Sequence, residues 1–383
     1  MADTSDVIST PPTIYDVARV AGVSIASVSR VLNGRRNPRE ETRERVLQAV
    51  AELGFVPDGA ARALSGRLKE VVGVVIRRVR WIQSSEGGFA EQDESLIFTD
   101  VINRGIELAA QRQGFNLLLS SVDVDDHDLS GRLMALARKS DGLILHDRVL
   151  EPAELEQLSR RVPIVTLANV ATPTTTNVHG DNATGMRDLA RHLLAEHGYR
   201  SLAFVAGLAD SPDSVARGAA LAAEAAAAGA AMLTGPQWQG NYYASGGARV
   251  IERLIASGEP LPRAIACAND QTALGVMYAL ARHGVDVPGD VAVTGFDDIP
   301  MARHLRPQLT TVRQPIQEIG ATAFDVLHSM ITNSATTSDS AMTRDGATTR
   351  DGSAAARDVV LPTRLVLRES CGCPSPSTPP AGI

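Results

Sequence analysis

The residues of this chain that could do chemistry fall into three groups. The first is a short run, SIASVSRVL from Ser24 to Leu32, in which one arginine stands among small side chains. Arginine carries the fork of donors that pairs with guanine O6 and N7, so this run has one strong reader of base edges. The second is a set of polar residues closing apolar runs, His146, Asn169, Asn269, Asp270, Asp297 and Asp298. Open α/β sheets bind ligands in crevices beyond the carboxyl ends of their strands, which is where such residues stand. The third group is sulfur and imidazole. Three cysteines, Cys267 isolated and Cys371 and Cys373 near the end, make neither a disulfide framework nor a four-ligand zinc site. Cys371-Gly372-Cys373 therefore reads as an inert feature of the tail. His192 and His197 are five apart, off the i, i+4 spacing of a helical metal pair, and read as surface residues. No metal and no other cofactor is expected.

The patterns of catalysis are missing. No G-x-G-x-x-G follows an apolar run, no Gly-Lys pair offers a phosphate loop, and no G-x-S-x-G occurs. Doubly wound folds host many reactions, so an enzyme is the first alternative to weigh, but nothing here supports one. At 383 residues, 44% apolar and 21% charged, the chain is long enough for two or three compact units, one of them small. The net charge of −7 is uneven: residues 13–69 carry ten Lys and Arg against six Asp and Glu, a +4 head on a remainder of −11. A basic head can hold phosphate while an acidic body resists nonspecific contact with nucleic acid. The opening MADTSDVISTPPT has no basic segment followed by an apolar run, and no window supplies about 18 apolar residues, so a cytoplasmic chain without membrane contact is expected.

The elements that must position the arginine are helical. In TIYDVARVAGVSIASVSRVLN, Thr13 can cap a helix with Asp16 completing a capping box, and Ile14, Val17, Ala18 and Val20 form its apolar stripe. Gly22 breaks it. Ser24 caps a second helix whose Val28, Val31 and Leu32 face inward and whose Ile25, Ala26, Ser29 and Arg30 face outward. A third helix is expected from about Pro38 to Leu53, with Asn37 as cap and Gly54 as stop. Three short helices with a tight turn between the first two make a helix-turn-helix, although a bland three-helix bundle fits the same pattern.

Here IYDVARVAGVSIASVSRVLNG followed by TRERVLQAVAELGFVP resembles the head of the lactose repressor family almost position by position. The resemblance implies that Ser24 to Leu32 is the recognition helix, with Ile25, Ala26 and Arg30 at base edges and Thr13, Tyr15, Ser29 and Asn33 on the DNA backbone. It departs at Arg39, where many relatives carry a capping serine. After Pro57 comes DGAARALSG, too short to be a stable helix alone, since about 12 to 15 residues are needed and Gly59 costs about 1 kcal/mol more. A passive linker is one reading. In the family this segment folds when two copies pair in the minor groove and a leucine wedges between base steps, and Ala61 and Leu64 match those positions. Asp58 stands where the family usually has Asn.

From Val71 strands and helices alternate: VVGVVI, a helix over Asn103 to Gln113, FNLLLSS, GLILH and PIVTLAN, then SLAFVAG, an alanine-rich helix, AIACAND and VAVTGFDD. Such runs indicate two doubly wound subdomains with parallel sheets. The phrases ANDQTALGVMYAL, GVDVPGDVAVTGFDDI and PQLTTVRQP resemble the family's effector-binding body, which is shaped like a periplasmic sugar-binding protein. The resemblance implies a cleft site at Arg77, Phe98, His146, Asn169, Arg217, Tyr242, Asn269 and Asp297. Asp297 would accept from hydroxyls, Arg217 and Asn269 would donate, and Tyr242 would offer a flat apolar plate, which suits a sugar or polyol. Arg77 is unusual for the family and raises an acidic or phosphorylated sugar as the alternative. Capping of loops by Asn269 and Asp297 is the competing structural role.

The layout expected is a disordered tail over 1–12, an all-α helix-turn-helix head over 13–57, a hinge over 58–70 and an α/β body of two doubly wound subdomains over 71–370. Residues 371–383 are expected as a disordered tail, the 333–357 segment with its echo TRDGATTRDG as a flexible loop, and 80–97 as an insertion. The function implied is a dimeric regulator, a repressor by resemblance, that binds a palindromic double-stranded DNA operator and responds to a small-molecule effector. An activator of the same architecture, or a solute-binding protein, is the alternative; the latter would need a signal peptide and no helix-turn-helix.

Overall fold

The computed structural model describes residues 12–32, 39–55, 68–78, 97–123, 126–146, 148–341 and 357–374, with the backbone alone for 334–341 and 357. Asn33, Ala61, Leu64, most of the expected hinge, almost all of the 80–97 insertion and the outer parts of both tails lie outside these residues. The chain divides into two units, Met1–Glu70 and Val71–Ile383.

In the first unit, helix α1 (Ile14–Ala21) opens with the expected capping box: Thr13 and Asp16 bond each other's backbone N–H groups. It ends on Gly22, which takes a left-handed φ of 63°. A side chain there would also meet the Arg45 guanidinium, whose donors close the end of α1 on the carbonyls of Ala21 and Gly22. Helix α2 (Ile25–Leu32) is capped by Ser24, whose hydroxyl accepts from the Ser27 N–H at 3.2 Å. Helix α3 (Glu40–Leu53) begins two residues later than expected, since Arg39 at its cap position supplies no side-chain bond. Val17, Ala18, Ala21, Val28, Val46 and Ala49 make the core of this unit. Val20, expected in the apolar stripe, is exposed and Ala21 is buried in its stead.

The second unit holds two parallel sheets. The first has strands β1 (Val71–Arg78), β2 (Asn116–Asp123), β3 (Gly142–His146), β4 (Ile164–Leu167) and β5 (Thr176–Gly180), joined by a late strand β11 (Arg357–Leu361), in the order β11-β5-β4-β3-β1-β2. Helices α4 (Ile97–Arg112), α5 (Leu129–Lys139) and α6 (Pro152–Ser159) connect its early strands. Leu133, Leu136, Leu155 and Leu158 of α5 and α6 cover one face. The other carries α4 and α11 (Ile316–Ala341). These two cross so closely that a Cβ on Gly105 would lie 2.1 Å from the Gln317 carbonyl oxygen, and one on Gly320 2.2 Å from that of Ile102. Only glycine permits that approach.

The second sheet orders β6 (Ser201–Val205), β7 (Ala231–Leu233), β8 (Ala264–Cys267) and β9 (Ala292–Thr294) as β7-β6-β8-β9. One face is covered by α7 (Asn182–Arg191) and α8 (Pro212–Ala227), through Met186, Leu189, Leu221 and Ala225. The other is covered by α9 (Ala244–Ser257) and α10 (Asp270–Arg282), through Val250, Leu254, Val276 and Leu280. A short antiparallel pair, β10 (Thr311–Arg313) with β12 (Arg364–Val366), completes this subdomain. The chain thus passes between subdomains three times, after β5, after β10 and after β11. The first and third passes are laced together: Asp181 N–H donates to Leu361 O, and Thr363 Oγ1 donates to Asp181 O.

Several expectations need correction. The 333–357 segment is not a loop from its start, because α11 runs on to Ala341; residues 342–356 lie outside the described set. The C-terminal tail does not begin at residue 371, because Cys371 closes a 3-10 turn, Glu369–Cys371, and is fully buried in the core. His192 is not a surface residue but 9% exposed. It opens a π-helical turn, His192–Glu196, that continues α7, and a five-residue turn brings positions five apart onto one face. The i, i+4 test misses such a pair.

Candidate functional site

In the helical unit, Tyr15, Ser24, Ile25, Ala26 and Arg30 are exposed and Ser29 is partly so, which leaves the outward face of α2 as expected. Thr13 is exposed but its hydroxyl serves the cap. The Arg30 Nε donates to Ala26 O at 3.1 Å, so the side chain lies along its own helix with its guanidinium at the surface. Chemically this is a short face able to pair one guanidinium with a base edge while hydroxyls meet phosphates.

In the second unit a cleft with ≈520 Å³ of empty space, open solvent included, lies between the subdomains. Phe98, Thr99, His146, Leu167 and Ala168 line it from the first, and Asp213, Arg217, Tyr242, Asn269 and Asp297 from the second. The first wall stands on the end of β3 and the start of α4, the second on the starts of α8 and α10 and the loop after β9. Three of the lining residues hold left-handed backbone without being glycine: Ala168 at φ 52°, Tyr242 at 72° and Asp297 at 119°. Such strain, about 1–3 kcal/mol each, persists where the surroundings over-determine the geometry, and it gathers at ligand sites.

Arg217 organises the polar wall. Its Nε donates to Asn182 Oδ1 at 2.8 Å, one terminal nitrogen donates to Ala268 O at 2.6 Å, and the other reaches Asp213 Oδ2 at 3.4 Å. The guanidinium also stacks on Phe296 at 3.8 Å and stands 4.0 Å from Asp297 Oδ1. Asp297 accepts from Gln314 Nε2 at 2.7 Å, which ties it to the second pass between subdomains. Burial pushes its carboxyl up to about 7, against the opposing pull of Arg217 and Gln314. On the facing wall, burial lowers His146 to about 4 and keeps the ring neutral near pH 7. Its Nε2 is buried and has no hydrogen-bond partner among the described residues. The Tyr242 hydroxyl and the Ser211 hydroxyl are 2.7 Å apart, and the ring lies over Gly207, where any Cβ would collide with it.

Of the eight residues expected here, the cavity gathers Phe98, His146, Arg217, Tyr242, Asn269 and Asp297. Arg77 does not line it; its guanidinium meets Asp210 Oδ2 at 2.7 Å, an ion pair between the subdomains. Asn169 does not line it either, because Asn177 holds its backbone from both sides. Asn269 lines the cavity, and its Oδ1 caps α10 through Thr272. Asp270 and Asp298, flagged at strand ends, are structural: Asp270 accepts from the Ile299 N–H and the Thr311 hydroxyl, and Asp298 pairs with Arg313 and Arg368. Sequence reasoning missed Thr99, Leu167, Ala168 and Asp213. Only Asp213 left a signal, the i, i+4 spacing to Arg217 at a helix start.

A strained cavity between two sheet subdomains, in a chain that also carries a helix-turn-helix with an exposed arginine, defines a ligand-responsive DNA-binding regulator. Residues 13–58 match the bacterial regulatory proteins of the lacI family, and residues 190–371 match the periplasmic binding protein-like domain. The chain is 32% identical to catabolite control protein A of Priestia megaterium over 330 residues, 85% of this chain and 94% of that protein. It is 31% identical to the HTH-type transcriptional repressor PurR of Vibrio parahaemolyticus over 320 residues, 82% of this chain and 90% of that one. Its fold matches the lac repressor dimer bound to operator and the anti-inducer ONPF, with a TM-score of 0.73 at 26% identity, covering 94% and 99% of the two chains. It also matches the transcriptional regulator CelR in complex with cellobiose, with a TM-score of 0.62 at 28% identity over 94% and 99%. The chain belongs to the lacI family of bacterial regulatory proteins. It is a transcriptional regulator and not an enzyme, and among the described residues no helix is long and apolar enough to cross a membrane.

Proposed function

We propose that this chain represses transcription in the cytoplasm as a homodimer on a palindromic operator, and that a neutral sugar or polyol in the cavity changes its operator affinity. The observation that carries the effector reading is His146 Nε2, buried and without a partner among the described residues on the wall facing Arg217 and Asp297. Buried polar atoms are nearly always bonded, so an unpartnered one on a residue that lines a cavity calls for a ligand hydroxyl. The wall carries two carboxylates, Asp213 and Asp297, against one guanidinium already bonded, and Arg77 is engaged with Asp210. That balance favours a neutral ligand over an acidic or phosphorylated one. A ligand touching both walls favours the arrangement in which the two walls meet it together, and the passes between subdomains carry that preference through the body.

The dimer reading rests on the pairing that a palindromic site requires and on β2, an edge strand whose Leu119 is 56% exposed. The base contacts by Ile25, Ala26 and Arg30, the backbone contacts by Thr13, Tyr15, Ser29 and Asn33, and the minor-groove wedge by Ala61 and Leu64 belong to the same proposal.

The test is thermal stabilisation of the full chain by neutral pentoses, hexoses and disaccharides set beside their phosphates, followed by gel-shift on an operator selected from random DNA. A neutral sugar is expected to stabilise by mass action, about 2.7 kcal/mol at a hundredfold excess over Kd, and to shift operator affinity. Asp297→Ala is expected to bind operator as before and to stop responding. Stabilisation by phosphorylated sugars alone, or an Asp297→Ala protein that responds at the original concentration, overturns the reading.

A further inference from the structure

Four side chains that the effector cavity does not use converge at one point of the second subdomain: His192, His197, Cys371 and Cys373. His192 Nε2 lies 3.0 Å from His197 Nε2, 3.5 Å from Cys371 Sγ and 3.4 Å from Cys373 Sγ. Cys373 Sγ lies 3.5 Å from His197 Nε2, and all four donor atoms fall within 4.8 Å of one another. A single Nε2 has either one proton to give or one lone pair to receive. Three neighbours within 3.5 Å exceed what hydrogen bonding at that atom can satisfy. A cation at the centre resolves the excess. Zinc–nitrogen bonds of about 2.0–2.1 Å and zinc–sulfur bonds of about 2.3 Å, set at tetrahedral angles, put nitrogens about 3.3 Å apart, nitrogen and sulfur about 3.6 Å and sulfurs about 3.8 Å. The one nitrogen–nitrogen and three nitrogen–sulfur separations given above agree with these values to within a few tenths of an ångström.

The local structure is built to hold these donors. The π-helical turn sets His192 and His197 on one face, with the rings edge to face at 4.7 Å. Tyr199 stacks on His197 at 5.2 Å, and its hydroxyl donates to Cys371 O at 2.8 Å, so one residue positions a ligand from each segment. Gly372 turns the chain between the cysteines at φ 103°, and a Cβ there would press on the Tyr199 hydroxyl and the His197 ring. Thr310 Oγ1 sits 3.1 Å from Cys371 Sγ, placed to donate to a thiolate. Two thiolates neutralise a dication, which suits a site whose Cys371 is fully buried. Two imidazoles and two thiolates select a borderline-soft tetrahedral ion over magnesium or calcium.

We propose that these four side chains bind one zinc-class cation, which fastens the end of the chain to the turn between α7 and β6. The site shares no residue with the cavity, so it stands or falls apart from the effector reading.

The test uses the full chain, reduced, stripped with chelator and titrated with Co²⁺ and then Zn²⁺. One equivalent of Co²⁺ is expected to give thiolate-to-metal charge transfer and the strong visible bands of a tetrahedral ion. One equivalent of Zn²⁺ should abolish them and raise the melting temperature. Cys267→Ala, far along the second sheet, is expected to leave all of this unchanged. Cys373→Ser, at a partly exposed position, is expected to lose the charge-transfer intensity and the zinc-dependent rise in melting temperature while keeping the parent's circular dichroism. His197→Gln is expected to do the same. Weak octahedral bands alone, an unchanged spectrum in Cys373→Ser, or purified protein that carries a Cys371–Cys373 disulfide and no metal overturns the proposal.

Discussion

Asp297 and His146 face one cavity from opposite subdomains, and burial moves their proton affinities in opposite directions. Asp297 titrates near 7 in the fold against 3.8 for an ordinary side chain, so the folded form holds its proton longer and the contribution to stability fades as pH rises from about 4 to about 7. His146 titrates near 4 against 6.5, so its contribution is whole above 6.5 and fades as pH falls toward 4. Arg217, Asp213 and the buried Asp270 surround the carboxyl and remain in both variants of the experiment. Asp297→Asn is therefore expected to gain on the unmutated protein in melting temperature as pH rises from 4 to 7. His146→Gln is expected to gain on it as pH falls from 6.5 to 4, and parallel melting curves for either variant would refute that assignment. At the same scale in the head, Arg30→Ala should weaken operator binding by about 1–3 kcal/mol and relax one base position, which binding-site selection would show as a flattened column. The exposure of Arg30 could be read from the sequence because it falls opposite the inward Val28 on a short helix. Arg77 could not be placed, because its partner Asp210 lies 133 positions away.

Helix pairs in this fold meet backbone to backbone. Gly105 and Gly320 let α4 and α11 touch, and Gly247 and Gly275 do the same for α9 and α10, where a Cβ would lie 2.2 Å from Thr272 O and 1.7 Å from Ala244 O. Gly320→Ala is expected to lower stability by about 1–3 kcal/mol or more through overpacking, measured as a shift of the urea midpoint at unchanged slope, although alanine is the better helix former. Thr13→Ala, by contrast, removes only a cap and should cost about 1 kcal/mol in the melting of the head. The strands flanked by helices were legible because each is a nearly continuous apolar run. β5, β7, β10 and β12 were not, being three to five residues long and, in TNVHG, polar. β11 follows a Ser, Thr and Asp rich stretch that argues for disorder until the chain has somewhere to return. The π-helical turn was illegible for a different reason, since its period matches neither helix nor strand.

At the scale of the whole molecule, the Arg77–Asp210 pair and the bond from the Ile97 N–H to Gln271 Oε1 at 3.1 Å are contacts among the described residues that join the subdomains beside the cavity. Arg77→Ala is expected to widen the unliganded body in solution scattering and to weaken effector binding about 1.4- to fivefold, the yield of a partly exposed ion pair of about 0.2–1 kcal/mol. Unchanged scattering and affinity would show that the pair does not hold the cleft. Leu64→Ala, in the proposed hinge, should weaken operator binding and reduce DNA bending while both units keep their melting temperatures. The two subdomains and the helical head were legible from alternation and motif; the passes between subdomains were not, because nothing local marks where a chain changes sheets.

Those passes bear on how the protein is made. β5 cannot take its outer neighbour until β11 is synthesised, and the register Thr176↔Arg357 spans roughly 180 residues. At about 5–20 residues per second, a ribosome leaves that edge open for roughly 10–40 s. An unpaired edge of parallel strand is a template for any other extended segment nearby, including the same strand of a neighbouring nascent chain. The first subdomain thus starts before the second and closes after the second's parallel sheet, and its open edge faces neighbouring copies until β11 arrives.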